Sequence, residues 1–189
     1  MRLLGLVYLV AFVSLWLQVD GLVGSRGILP AREFVAKVSA ALGVAGYWQL
    51  PTLYWLWPTD AMLHALCAVG IVLALLLVAG LAPVPCLAGL WIVYLSLELV
   101  GQDFLAFQWD ILLVETGFLA IFVAPLGLRP RLGREAAPPV AIVWMFRLLV
   151  FRLMFSSGAV KLLSGDPTWR NLTALDQYYS NGPLPNWIG

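Results

Sequence analysis

Two carboxylates interrupt an otherwise apolar stretch: FQWDILLVETGFLAIF, residues 107–122, carries Asp110 and Glu115. A charge in hydrocarbon costs about 2.5–3.5 kcal/mol at a helix centre, so such a residue is either neutralised by a partner or kept for use. The same question attaches to Glu98 and Asp103 just before this stretch and to Arg147, Arg152 and Lys161 in a second apolar run after it. Two kinds of chemistry are open to such a set. One is a structural network of ion pairs joining helices; the other is a functional site, a substrate cavity or proton relay built from the same layer.

The rest of the chain says what must position these groups. Of its 189 residues 62% are hydrophobic and 11% charged, and the mean hydropathy is +0.92. A soluble domain holds about 45–50% apolar and about 25% charged residues, so the composition predicts an all-α, multi-pass transmembrane helical bundle. Apolar runs long enough to cross a core of about 30 Å fall at residues 3–19, 61–82, 86–100, 109–126 and 140–163. That gives about five spans within residues 1–163. The net charge of +1 argues against a nucleic-acid partner, which calls for a basic face.

Residues 20–60 form a long loop holding Tyr47, Trp48, Tyr54, Trp55 and Trp57. Such rings settle at headgroup depth, which places the loop on the membrane surface, with a short helix starting near Pro30. Pro83-Val84-Pro85 reads as a tight turn between the second and third spans. Arg129, Arg131 and Arg134, together with Arg2, put the N-terminus in the cytoplasm by the positive-inside rule. Residues 164–189 then lie on the non-cytoplasmic side. There Asp166 is a good N-cap and Pro167 a good first helical residue. Trp169, Leu172, Leu175 and Tyr179 recur at helical spacing and predict one apolar face of an interfacial helix. Asn181-Gly182 and Pro-Leu-Pro follow, then Trp187, as the start of a missing C-terminal part.

With these helices in place the charges match in height. At about 1.5 Å per residue, Glu98, Asp103, Asp110 and Lys161 share the outer layer, while Glu115 comes within reach of Arg152 near mid-membrane. Arg147 meets no acid at its depth and is expected to snorkel. His64, the sole histidine, reads as an interfacial hydrogen-bonder, with no second ligand to suggest a metal. Cys67 and Cys86 fall near opposite leaflets, too far apart to bridge. Asn171-Leu172-Thr173 matches the glycosylation sequon. GxSxG, Walker, HExxH and GxGxxG motifs are all absent from the sequence, so no catalytic, metal or cofactor site is assigned.

FQWDILLVETGFLAIF, then FRLMFSSGAVKLLSGDPTWRNLTAL and PLP, together with QVDGLVGSRGILPA in the first loop, resemble the lipase maturation factors over essentially the whole chain. The resemblance implies a multi-pass protein of the endoplasmic reticulum membrane that helps dimeric secreted lipases fold and assemble and is not itself a lipase. It implies the bilayer and a secreted client as partners, with Trp169, Leu172, Leu175, Tyr179 and Trp187 as candidate client contacts. The stretch DQYYSNGPLP departs from the animal pattern and looks closer to bacterial relatives, for which the inner membrane would be the location. A distant similarity to the membrane domain of vitamin-K-dependent carboxylases supplies the enzyme alternative, in which the Lys161–carboxylate layer does acid–base work.

Overall fold

The computed structural model describes residues 1–130 and 137–176, and every residue assigned to a regular element among them is helical. The helices bounded within the described residues are, in chain order, α1 (Arg2–Leu22), α2 (Ala31–Leu42), α3 (Ala45–Gln49), α4 (Asp60–Ala79), α5 (Pro83–Gly101), α6 (Gln108–Val123), α7 (Val140–Leu163) and α8 (Pro167–Arg170). Short 3-10 turns add Leu53–Leu56 and Gln102–Phe104. Among the described residues, four segments have the length and apolarity to cross a membrane: α1, α4, α5 with its following turn, and α7. α6, the fourth span expected from the sequence, is 16 residues long, about 24 Å at the helical rise. Its first turn holds Asp110. The chain divides into two compact units, Met1–Ile142 and Val143–Gly189.

In the first unit each long helix buries a line of residues at steps of three and four. On α1 these are Gly5, Tyr8, Phe12, Leu15 and Val19; on α4 they include Leu63, Cys67, Gly70, Ala74 and Leu77. The two lines face each other with the chains antiparallel: Gly5 abuts Ala74 and Val78, and the Phe12 ring lies on the backbone of Gly70. Helices in hydrocarbon gain nothing from hiding apolar surface, so they associate through close packing. A methyl group on Gly70 would overlap the Phe12 ring outright, so only glycine lets α1 and α4 come this close.

α5 continues the bundle beside α4, and α6 beside α5. Their junction with α1 is aromatic. Tyr94 of α5 meets Phe12 edge-to-face at 5.3 Å and Tyr8 at 5.8 Å. The Tyr8 hydroxyl donates to the Leu113 carbonyl of α6 at 3.2 Å. Cys67 and Cys86 are both buried free thiols, on α4 and at the start of α5.

Pro83-Val84-Pro85 is not the turn the sequence suggested. The reversal is made by Gly80 (φ +78°) and Ala82 (φ +43°), and α5 begins at Pro83. The physical reason is that the first turn of a helix has no intrahelical use for its N–H groups, so proline is at home there. The interfacial loop also differs from expectation in part. Tyr47, Trp48 and Trp57 are exposed, but Tyr54 is fully buried and Trp55 half-buried. The Trp55 indole donates to the Leu50 carbonyl at 2.8 Å.

The second unit holds nearly all of α7, which presents apolar residues on all sides and buries Leu149 alone among its side chains. Its Arg147 guanidinium lies over the Trp144 indole, 4.7 Å from the ring centre, an aromatic partner where no acid was expected. α8 follows as the sequence predicts at its start: Asp166 caps it, accepting from the Thr168 amide at 2.9 Å and the Thr168 hydroxyl at 2.8 Å. The predicted interfacial helix is interrupted, however, and helix resumes only at residues 174–176. α8 stops at Arg170, Leu172 takes the left-handed conformation (φ +59°), and the Thr173 amide closes the end on the Thr168 carbonyl at 2.9 Å. That is a Schellman-type stop, usually signalled by glycine at the left-handed position. Here leucine occupies it, so the sequence carried no warning. Trp169, Leu172 and Leu175 therefore do not form one continuous helical face, and Tyr179 and Trp187 lie outside the described residues.

Candidate functional site

The polar side chains of the first unit gather at two levels. The deeper one holds Asp110. Phe107 is extended and Gln108 opens α6, so Asp110 falls in the first turn, where free amides favour a carboxylate. Its side chain points inward: only 7% of Asp110 is exposed. The Tyr94 hydroxyl donates to its Oδ1 at 2.6 Å. A charge-assisted hydrogen bond of this kind is short and roughly twice as strong as a neutral one. Glu98, one turn after Tyr94 on α5, is half-buried, as is Glu115 on α6, while Asp103 in the 3-10 turn is exposed. The structure thus brings Asp110 and Glu98 to one side of the α5–α6 pair and leaves Asp103 at the end of the bundle.

Arg152 and Lys161 belong to the second unit. Lys161, in the last turn of α7, holds its ammonium 4.8 Å from the centre of the Trp169 ring, a cation–π contact. Asn171, the sequon residue, is exposed at the C-cap of α8, and Leu172 and Leu175 are exposed beyond it.

The second level lies at the loop end of α1 and α4. The Trp16 indole N–H donates to Nδ1 of His64 at 2.8 Å, and Nε2 of His64 stands 3.0 Å from Oδ1 of Asp20. Because an indole can only donate, Nδ1 must be the unprotonated nitrogen, so Nε2 carries the hydrogen and donates to Asp20. His64 is thus a hydrogen-bonding histidine tying α1 to α4. Asp20 opens the stretch DGLVGSRG, whose Gly24 backs directly onto the Asp20 carbonyl, with no room for a side chain. The next residue, Ser25, donates both its amide (2.8 Å) and its hydroxyl (2.6 Å) to the carboxylate of Asp60, the first residue of α4.

Further along the loop, the Thr52 hydroxyl donates to the Ser96 carbonyl at 2.9 Å, and the Leu53 amide donates to the Ser96 hydroxyl at 3.1 Å. Gln102 donates to the Leu29 carbonyl at 3.1 Å. Loop 23–59 is therefore fastened to α4 and α5 rather than free. Beside it, burial and the Asp60 carboxylate push the Tyr54 phenol above its ordinary range, against a smaller opposing pull from Arg32. It stays a neutral hydroxyl.

Sequence reasoning missed Tyr94, Ser25, Asp60 and the His64–Asp20 pair. Tyr94 and Glu98 share a face at i, i+4, a signal available in YLSLE (94–98). For Ser25 and Asp60, 35 residues apart, no local pattern existed.

The family profile described as the lipase maturation factor transmembrane domain matches residues 1–189. Among curated proteins, the chain is 44% identical over 192 residues to lipase maturation factor 2 of Xenopus laevis, covering 95% of this chain and 26% of that protein. It is 39% identical over 194 residues to lipase maturation factor 1 of Bos taurus (98% and 34%) and 46% identical over 194 residues to lipase maturation factor 2 of Gallus gallus (96% and 26%). It spans about a quarter to a third of these relatives' length. No solved structure matches. With apolar helices long enough to span a bilayer and a profile matched end to end, this integral membrane chain belongs to the lipase maturation factor family, within its transmembrane domain.

Proposed function

We propose that the chain anchors a maturation factor that assists folding and assembly of secreted proteins, with a lipase as client. It works in the endoplasmic reticulum membrane with its N-terminus in the cytoplasm. The observation that carries this reading is the match across residues 1–189 to proteins named lipase maturation factors. Client contact falls to the exposed apolar and aromatic residues of the non-cytoplasmic segments: Tyr47, Trp48 and Trp57 in the loop, and Trp169, Leu172 and Leu175 after α7. Tyr179 and Trp187 extend that set by sequence. Both segments offer large apolar area, and the loop holds its share on a fastened backbone, which suits recognition of partly folded clients. The intramembrane charges have a structural purpose in this reading: Asp110 is satisfied by the Tyr94 hydroxyl, and no client contact is assigned to Glu98, Glu115, Arg152 or Lys161.

The test uses the full-length protein in cells lacking their own maturation factor, scored as secreted lipase activity per mass of lipase at matched expression. Trp169→Ala with Leu172→Ala is expected to lower that activity at least several-fold, and Glu115→Gln with Lys161→Met to act only through protein level. If the interior pair alone abolished activity while expression held, the client-contact account would be wrong.

A further inference from the structure

The seam between α1 and α6 is not closed. A cleft of about 660 Å³ runs along it, floored by α5 and walled by Leu6, Val10 and Ser14 of α1 and by Trp109, Asp110 and Leu113 of α6. That volume lies within the range of about 300–1,000 Å³ usual for small-molecule sites. Its walls divide by chemistry along their length. Around Leu6, Val7 and Val10 the lining is wholly apolar, while the rest, also largely apolar through Leu22, Phe104 and Phe107, carries the polar groups of Ser14, Gln18, Tyr94 and Asp110. The polar part is built rather than incidental: Asp110 is more than nine-tenths buried and fixed by Tyr94, and the Gln18 amide donates to the carbonyl and hydroxyl oxygens of Ser14.

The mouth says where an occupant comes from. Leu6, Val7 and Val10 are exposed along a helix that spans the membrane, so the cleft opens sideways into hydrocarbon. Among the described residues, no lysine or arginine lines it, which leaves the carboxylate without a cation to receive an anionic head. A carboxylate has about four acceptor sites; the Tyr94 hydroxyl, the Trp109 indole and the residue's own amide donate to Asp110, which leaves about one for an occupant. We propose that this cleft binds a single-chain, uncharged lipid whose hydroxyl head donates to Asp110 while its hydrocarbon chain lies along Leu6 and Val10; the monoacylglycerol class fits this description. The proposal is independent of the client reading.

The probe is a 1-monoacylglycerol carrying a diazirine in its chain, photolysed with the full-length protein in phosphatidylcholine nanodiscs and mapped by peptide mass spectrometry. Saturable labelling of residues 6–22 and 104–113 is expected, competed by unlabelled monoacylglycerol. It should fall at least fivefold in Val10→Trp, which blocks the mouth from an exposed position, and in Asp110→Asn at matched folding. A fatty-acid probe and a two-chain phosphatidylcholine probe should label these segments weakly. Equal labelling by all three probes, or labelling unchanged by Val10→Trp, would overturn the proposal in favour of bulk lipid contact. Stronger labelling by either comparison probe, or crosslinks joining two copies of the chain across this face, would overturn it in favour of a different occupant.

Discussion

The two sides of α1 are built on opposite principles. Towards α4 the seam is dry and closed: Phe12 rests on Gly70, and Gly5 on Val78. Towards α6 the helices touch through Tyr8 and Leu113, then part around Ser14, Gln18 and Asp110. Small residues bring backbones together where packing supplies the attraction, and polar residues line the side where the helices stand apart. Between Gly5 and Phe12 the closed seam is made of glycine, alanine, valine and an aromatic ring, and polar groups enter it only at its two ends, with Arg2 against Gly80 and Trp16 on His64. A membrane domain that must be both stable and receptive can divide the tasks between two faces of one helix.

This contrast can be broken most forcefully at Phe12. Phe12→Ala leaves a hole against Gly70 and Tyr94, and a loss of about 3–5 kcal/mol is expected, read as a large drop in the thermal midpoint of the detergent-solubilised protein. Gly70→Ala attacks the same contact by overfilling it and should cost about 1–3 kcal/mol. Adding Phe12→Leu should recover part of that loss, whereas simple addition of the two penalties would show that the close approach is unimportant. His64→Ala removes the tie between Trp16 and Asp20 and should cost about 1 kcal/mol, visible as earlier proteolytic cutting in loop 23–59. On the open side, Val10→Trp should change stability by no more than about 0.5 kcal/mol. A loss comparable to Phe12→Ala there would mean that the open seam is packed after all.

The all-helical fold class was legible because hydropathy over about 20 residues reports the need for lipid burial, and the apolar run 140–163 is helical as α7. Ends were less legible where a local rule had two outcomes, as with Pro83-Val84-Pro85, which suits a turn and a helix start equally. The stop after Arg170 was hidden because a leucine took a glycine's conformation. At the site, the burial of Asp110 was readable from its apolar neighbours, yet its hydroxyl partner was not. A search for opposite charges looks past a tyrosine, although a hydroxyl at 2.6 Å compensates a carboxylate without adding a second charge. The Ser25–Asp60 and His64–Asp20 ties depend on which helices become neighbours, and no single stretch encodes that.

The central claim is that Asp110 is held inside the bundle by Tyr94. A double-mutant cycle of Tyr94→Phe and Asp110→Asn, with thermal or denaturant unfolding of the purified protein as readout, tests it most directly. A coupling of about 1 kcal/mol is expected, in the range of hydrogen bonds between membrane helices, with each single change destabilising. Effects that simply add, or an Asp110→Asn change that stabilises the protein equally with Tyr94 present and with Tyr94→Phe in place, would show that the carboxylate is not held by this hydroxyl.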